Sequence, residues 1–287
     1  MKKVLIAILL LGLLPHASAD YIHWVDFRLS APVLRSALEL DMASQGGEQP
    51  LDWIDILALA AAWRGGTGVT VADTQRAAQV LRGDTPPERL PGMAGRCFSY
   101  YRAAYGAALG GLVGHFAIRR TDPQTDEAEW IPAYGLKAFS PIAAGYPWSH
   151  YPDFGAQRSY GYARPHLGND ILGALGTPIC AVEGGTVEAL GWNRYGGWRI
   201  GIRSDDRKRY YYYAHLRKDT PYAEGLAVGQ RVQAGDVIGF MGRTGYSAQE
   251  NVNNIETVHL HFGLQLIFDE SQKECDSEIW IDVYPII

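Results

Sequence analysis

Thr257-Val258-His259-Leu260-His261-Phe262-Gly263-Leu264 alternates imidazole and apolar side chains. On a β-strand, residues two apart share a face, so His259 and His261 direct their rings to one side. Val258, Leu260, Phe262 and Leu264 then supply the buried face that such a strand needs. Two imidazoles side by side on a strand suit metal binding, proton transfer, or both. Partners lie upstream. His166-Leu167-Gly168-Asn169-Asp170 offers a third histidine with a carboxylate four residues on, and Tyr213-Ala214-His215-Leu216 ends an aromatic segment on a fourth. Four of the chain's eight histidines stand at these three places, all in the C-terminal half.

The 287 residues allow two domains of ordinary size. Met1-Lys2-Lys3, the apolar run from Val4 to Leu14 and Ala17-Ser18-Ala19 read as a secretory signal peptide over residues 1–19. The start is positive, the run is short for a bilayer span, and a small-x-small cleavage site precedes Asp20. No cysteine follows the site, which argues against a lipid anchor, and no later segment is long and apolar enough to span a membrane. Cleavage removes Lys2 and Lys3 and leaves 24 basic against 31 acidic residues, a net charge of −7. An acidic chain without a basic run is a poor partner for nucleic acid or anionic lipid. Cys97, Cys180 and Cys275 are odd in number and lack metal-ligand spacing; Cys180 reads as a buried thiol, and nothing singles out a Cys97–Cys275 pair.

Residues 20–116 read as an α-helical domain. Ser30 and Pro32 open one helix, Asp52 before Trp53 opens a second that Gly65-Gly66 stops, and Thr70 with Asp73 resembles a capping box for a third. A fourth is expected over 95–113. His23 and His115 stand singly among apolar residues and read as structural. The polar, Pro-containing segment 117–133 reads as a linker. From residue 134 to 287 short segments punctuated by Gly, Pro, Ser and Asn predict β structure, with strands near 177–182, 186–190, 198–203, 209–216, 236–241 and 258–268. Gly184-Gly185 and Ser204-Asp205-Asp206 read as hairpin turns. Alternation on 209–216 sets Tyr211, Tyr213 and His215 on one face and Tyr210 and Tyr212 on the other. Tyr211 and Tyr213 either wall a cleft or simply pack.

The set His166-x-x-x-Asp170, Tyr213-x-His215 and His259-x-His261 resembles the lysostaphin/LytM-type zinc metallopeptidases of family M23. Gly176-Thr177-Pro178-Ile179-Cys180-Ala181-Val182, Gly184-Gly185-Thr186-Val187 and Val232-x-Ala234-Gly235-Asp236-Val237-Ile238-Gly239 extend the likeness over about residues 140–266. The resemblance implies an α+β chain: a helical N-terminal domain followed by a mainly antiparallel β peptidase domain of the duplicated-hybrid-motif type. It implies one Zn2+ per chain on His166, Asp170 and His261, with His215 and His259 as the catalytic, non-ligand histidines. Three protein ligands leave a position for water, whose pKa falls to ~7 on zinc. With export, the resemblance implies an enzyme of the cell envelope or extracellular space that cuts peptidoglycan cross-bridge or stem peptides.

Two rival readings use the same residues. A mononuclear iron oxygenase also takes two His and one carboxylate, but its usual His-x-Asp spacing is absent. A non-catalytic LytM-like scaffold or activator of another wall hydrolase typically lacks one or more of the five site residues, and all five are present here. The chain departs from the family in the eleven residues 248–258 between Gly245-Tyr246-Ser247 and His259, a longer loop expected to gate the site. Some relatives are latent because an upstream asparagine fills the fourth zinc position. No asparagine precedes Asn169, which leaves His150 and Asp153 as the upstream groups for such a role.

Overall fold

The computed structural model describes residues 21–121, 124–125, 127–274 and 277–286. Its N-terminal region holds four helices: α1 (Ala31–Ser44), α2 (Trp53–Arg64), α3 (Val71–Leu81) and α4 (Met93–Leu109). Pro32 stands in the first turn of α1, where its missing N–H costs nothing. Asp52 accepts from the Ile54 amide at 2.7 Å to start α2, and Thr70 and Asp73 form the reciprocal capping box of α3. Helix α2 is the hub. Nine of its residues are buried, as a helix apolar on every side must be.

Helix α4 stops at Leu109, short of the expected residue 113, and Gly110-Gly111 is the cause. A methyl group on Gly111 would stand 1.6 Å from Glu183 Oε1, so only glycine admits the buried Glu183–Arg209 pair at the helix end. Arg209, 1% exposed, holds Glu183 through Nε at 2.7 Å and Nη2 at 3.1 Å. Its Nη1 donates to the carbonyls of Ala107 at 2.7 Å and Gly106 at 3.3 Å, at the end of α4 where carbonyls lack helical partners. A buried ion pair thus fastens the helices to the sheet.

The segment expected as a linker is a hairpin. Strands β1 (Val113–Thr121) and β2 (Ala128–Leu136) pair antiparallel throughout, from Val113 opposite Leu136 to Thr121 opposite Ala128. Its sequence carries no strand signature because it has no buried face: both strands are mostly solvent-exposed.

The C-terminal region is mainly antiparallel β: β3 (Trp148–Tyr151), β4 (Gln157–Arg158), β5 (Arg164–Pro165), β6 (Asn169–Gly173), β7 (Pro178–Cys180), β8 (Gly185–Asn193), β9 (Gly197–Ser204), β10 (Arg209–Ala214), β11 (Arg231–Val232), β12 (Val237–Phe240), β13 (His259–Leu266) and β14 (Ile279–Ile281). The main sheet runs β11-β8-β9-β10-β13-β6-β3, and β14 pairs the second half of β13. One face packs a core that includes Ile171, Ile202, Tyr211, Tyr213, Leu260, Phe262 and Leu264, each no more than 2% exposed. The other face carries the site. Strand β7 pairs β12 in a separate small sheet, so Gly184-Gly185 is no hairpin turn but a crossing between sheets. Gly185 is needed there because a methyl group would meet the Arg203 carbonyl at 2.2 Å.

Residues 1–19, expected as a signal peptide, and Cys275 lie outside the described residues. Cys97 and Cys180 are free thiols, and Cys180 is buried as expected. Among the described residues no helix is long and apolar enough to cross a membrane.

Candidate active site

Strand β13 sits between β10 and β6, and this neighbourhood assembles the site. Its register sets His261 opposite Asp170 on one side and Ala214 on the other, with His259 two residues away on the same face. His166 precedes β6 and folds back over it. Gly168 between them must be glycine, since a methyl group would meet the His261 ring at 2.6 Å. The result is a convergent set: His166, Asp170 and His261 each bring a ligand atom within 4.8 Å of the others. His166 Nε2 is 2.7 Å from His261 Nδ1, and Asp170 Oδ1 is 3.2 Å from the first and 3.3 Å from the second.

These residues fit a zinc ion. Asp170 Oδ1 is buried and has no hydrogen bond, an orphan aimed at two nitrogen lone pairs. A tetrahedral ion with bonds of about 2.0–2.1 Å sets its ligand atoms roughly 3.3 Å apart. The two N–O separations match that spacing, and the N–N pair needs only a small opening. His166 Nδ1 faces Asp153, 3.2 Å from both its carbonyl and Oδ2, so Nδ1–H donates and Nε2 is left with its lone pair. A ligating histidine anchored through its other nitrogen is the usual arrangement.

His215 and His259 share a second regularity. Nδ1 of His215 donates to the Thr244 carbonyl at 2.9 Å, and Nδ1 of His259 donates to the Thr257 carbonyl at 2.9 Å. Both rings therefore hold the tautomer that leaves Nε2 as acceptor. The rings lie 4.7 Å apart, and His259 Nε2 is 3.7 Å from Asp170 Oδ1. Burial, then the charges of His259 and His261, push His215 well below the ordinary histidine value. Burial likewise lowers His261. At His166 burial also opposes the charge, but Asp153 and Asp170 overcome it and raise the ring to about 9. Burial works against the Asp170 charge too, yet His166 and His261 hold it well below the usual carboxylate range.

Of the two readings for Tyr211 and Tyr213, packing holds. Tyr211 and Tyr213 are in the core, where Tyr211 donates to Glu183 at 2.6 Å and Tyr213 accepts from the Val182 amide at 3.0 Å. Tyr210 and Tyr212 line the groove instead. His215 joins them because it follows the strand with φ of 61°, a left-handed turn that reverses its side.

Asp153, in a role other than the one considered, and Arg158, which sequence reasoning missed, complete the site. Asp153 is 4% exposed and accepts from the Asp170 amide at 3.2 Å as well as facing His166. Arg158 pairs with Asp153 and reaches Asp170 Oδ2 at 3.1 Å. Asp153 thus backs His166 and does not occupy the front of the set. His150 stacks on Tyr284 with ring centres 4.0 Å apart and is outside it as well. No local pattern marks Asp153, on irregular chain, or Arg158, in the two-residue strand β4. Two hollows flank the cluster, of about 450 and 510 Å³, and share Arg158, Asp170 and Tyr246. Together they make a groove open to an extended chain. Asn254, Ile255, Glu256 and Thr257 of the long loop wall the second hollow. Asn251 fastens that loop, accepting from Trp198 Nε1 and the Asp219 amide at 2.9 Å each.

The profile of peptidase family M23 matches residues 164–274, which contain β6, β10 and β13 and all five residues of the constellation. This chain carries an M23-family domain. The L-Ala--D-Glu endopeptidase of Bacillus subtilis (strain 168) is 40% identical over 130 residues, 45% of this chain and 38% of that protein. Lysostaphin of Staphylococcus simulans is 37% identical over 98 residues, 34% of this chain and 17% of that protein. The chain thus spans well under half the length of these relatives. The crystal structure of a candidate glycyl-glycine endopeptidase, lytM, from Ruminococcus gnavus ATCC 29149 is similar at a TM-score of 0.50 and 25% identity, over 91% of this chain and 88% of that one. That likeness takes in the helical region along with the M23 domain.

Proposed function

We propose that the chain is an exported zinc endopeptidase that hydrolyses peptide bonds in peptidoglycan, with residues 134–287 as the peptidase unit and the helical region 20–116 seated on it. The carrying observation is the convergence of His166, Asp170 and His261 around Asp170 Oδ1, with His215 and His259, each anchored through Nδ1 to a backbone carbonyl, beside it. A zinc ion held by those three residues supplies a positive centre that polarises a carbonyl and acidifies a water.

Every other part of the work falls to the chain's own groups. The groove on either side of the cluster binds the peptide in extended form and positions one amide over it. His215 and His259 each have an acceptor nitrogen facing inward, so one takes a proton from the attacking water and returns it to the leaving amine. The second, its ring held by the Thr257 or Thr244 carbonyl, accepts from the other O–H of that water and orients it for attack. Asp153 and Arg158 keep His166 and Asp170 oriented throughout. Relatives named for L-Ala–D-Glu cleavage and for lysostaphin support a wall-peptide substrate.

The test is zinc content beside turnover in three variants. His215→Ala and His259→Ala are expected to keep zinc and lose most turnover, and His261→Ala to lose both. Release of zinc by His259→Ala with retention by His261→Ala overturns the assignment of the pair.

A further inference from the structure

The groove carries more positive charge than the bound peptide bond requires. Four cationic side chains line its first hollow, Arg158, Arg164, Arg199 and Lys273, beside two carboxylates, Asp170 and Glu278, although the chain as a whole is acidic. Two are neutralised in place: Arg158 by Asp153 and Asp170, and Lys273 by Glu188 at 2.5 Å. Arg164 and Arg199 have no carboxylate partner among the described residues. Arg164 is pinned by the Tyr160 carbonyl at 2.6 Å and lies over the Tyr195 ring, 4.6 Å from its centre. Arg199 is half-buried, and its Nε is sealed from water without an acceptor. Its neighbours on the sheet face are neutral phenols, Tyr210, which hydrogen-bonds with it, and Tyr212.

A half-exposed guanidinium with no carboxylate partner is the natural complement of a carboxylate, whose two oxygens match the planar fork. The sheet fixes how far this edge lies from the reaction. Ile200 pairs with Tyr213, and Ala214 pairs with His261, so Arg199 stands two strands from His261 in nearly the same row. At ~4.8 Å between strands that is roughly 10 Å, and an extended peptide advances ~3.3 Å per residue.

We propose that Arg199, flanked by Arg164, is a carboxylate subsite of the groove. The chain accordingly prefers peptides with an acidic side chain or a free C-terminal carboxylate within about three residues of the cleaved bond over uncharged peptides such as glycine runs. This inference rests on the endopeptidase reading, and it adds a specificity residue outside the five-residue constellation.

The test uses the full zinc-loaded chain and the shortest wall peptide that it cuts, remade with each carboxylate converted singly to its amide. Amidating one carboxylate is expected to lower kcat/KM at least tenfold in the wild type and less than twofold in Arg199→Gln. Arg199→Lys, which keeps the charge without the fork, falls between and serves if the glutamine variant does not fold. The amide that matters, side-chain or C-terminal, identifies the source of the carboxylate. Equal rates for acid and amide in the wild type, or full discrimination retained in both variants, overturn the subsite. If the wild type cuts no peptide, the endopeptidase reading fails by itself. Calorimetric binding of glutamate and glutamine peptides to the chelator-treated chain then decides the subsite: a tenfold preference that Arg199→Gln abolishes supports it, and equal binding overturns it.

Discussion

Asp153→Asn isolates what holds the ligand set in place. The Asp153 carboxylate is almost fully buried and serves three donors: His166 Nδ1–H at 3.2 Å, the Asp170 amide at 3.2 Å, and the Arg158 guanidinium. An ionised carboxylate meets all three because it only accepts, with about four lone-pair positions. Asparagine keeps the shape but replaces one oxygen with a donor, so His166 or Arg158 must face an NH2 group. A buried donor left unsatisfied costs about 1–3 kcal/mol, and more when charged. Loss of an outer-shell partner of a ligating histidine typically weakens metal binding 10–100-fold, which is about 1.4–2.7 kcal/mol. Zinc affinity, read by competition with a chelator of known strength, is therefore expected to fall by that factor. The melting temperature should fall as well, and saturating zinc should restore part of it. Unchanged zinc affinity in a folded Asp153→Asn chain would refute the claim that Asp153 orients His166.

Further predictions follow from elements outside the metal set. Arg209→Met strands Glu183 as a buried charge beneath Tyr211 and frees the end of α4. Urea unfolding should register a loss of about 3–5 kcal/mol, less in the Glu183→Gln/Arg209→Met double variant, and a loss below 1 kcal/mol (about the value of an exposed pair) contradicts the role of that pair. Asp73 is held below the usual carboxylate range: burial opposes this, while Arg64 and Thr70 overcome it. A depressed pKa contributes stability above the unfolded value of ~3.9 that disappears as pH falls through the folded one. Asp73→Asn should thus melt below wild type at neutral pH and converge with it in acid below pH ~4, and a constant gap across that range counts against it. Shortening the 248–258 loop removes a wall of the second hollow, so it should change which bonds are cut while leaving zinc content intact; identical products at identical rates show the loop to be passive surface.

The ligand set was legible because its spacing coincides with strand geometry. His259 and His261 share a face in period two, and Asp170 falls opposite His261 in the paired strand. Capping residues likewise marked the starts of α2 and α3. What stayed hidden depended on tertiary contact or on unusual backbone. The left-handed turn at His215 has no glycine to announce it, so simple alternation set His215 on the face of Tyr211 and Tyr213 when it shares the groove with Tyr210 and Tyr212. The exposed hairpin β1–β2 buries no face and so shows no strand period. Asp153 and Arg158 reach the site only because the chain before β6, including the short β4, folds across it.

The most direct measurement is mass spectrometry of the fragments released from purified sacculi by the full chain, with zinc content determined on the same preparation. The account predicts one zinc per chain and new peptide termini that appear with zinc, vanish with chelator and return when zinc is restored. Intact sacculi in the presence of a folded, zinc-loaded chain, or the same fragments with the metal stripped away, would contradict it.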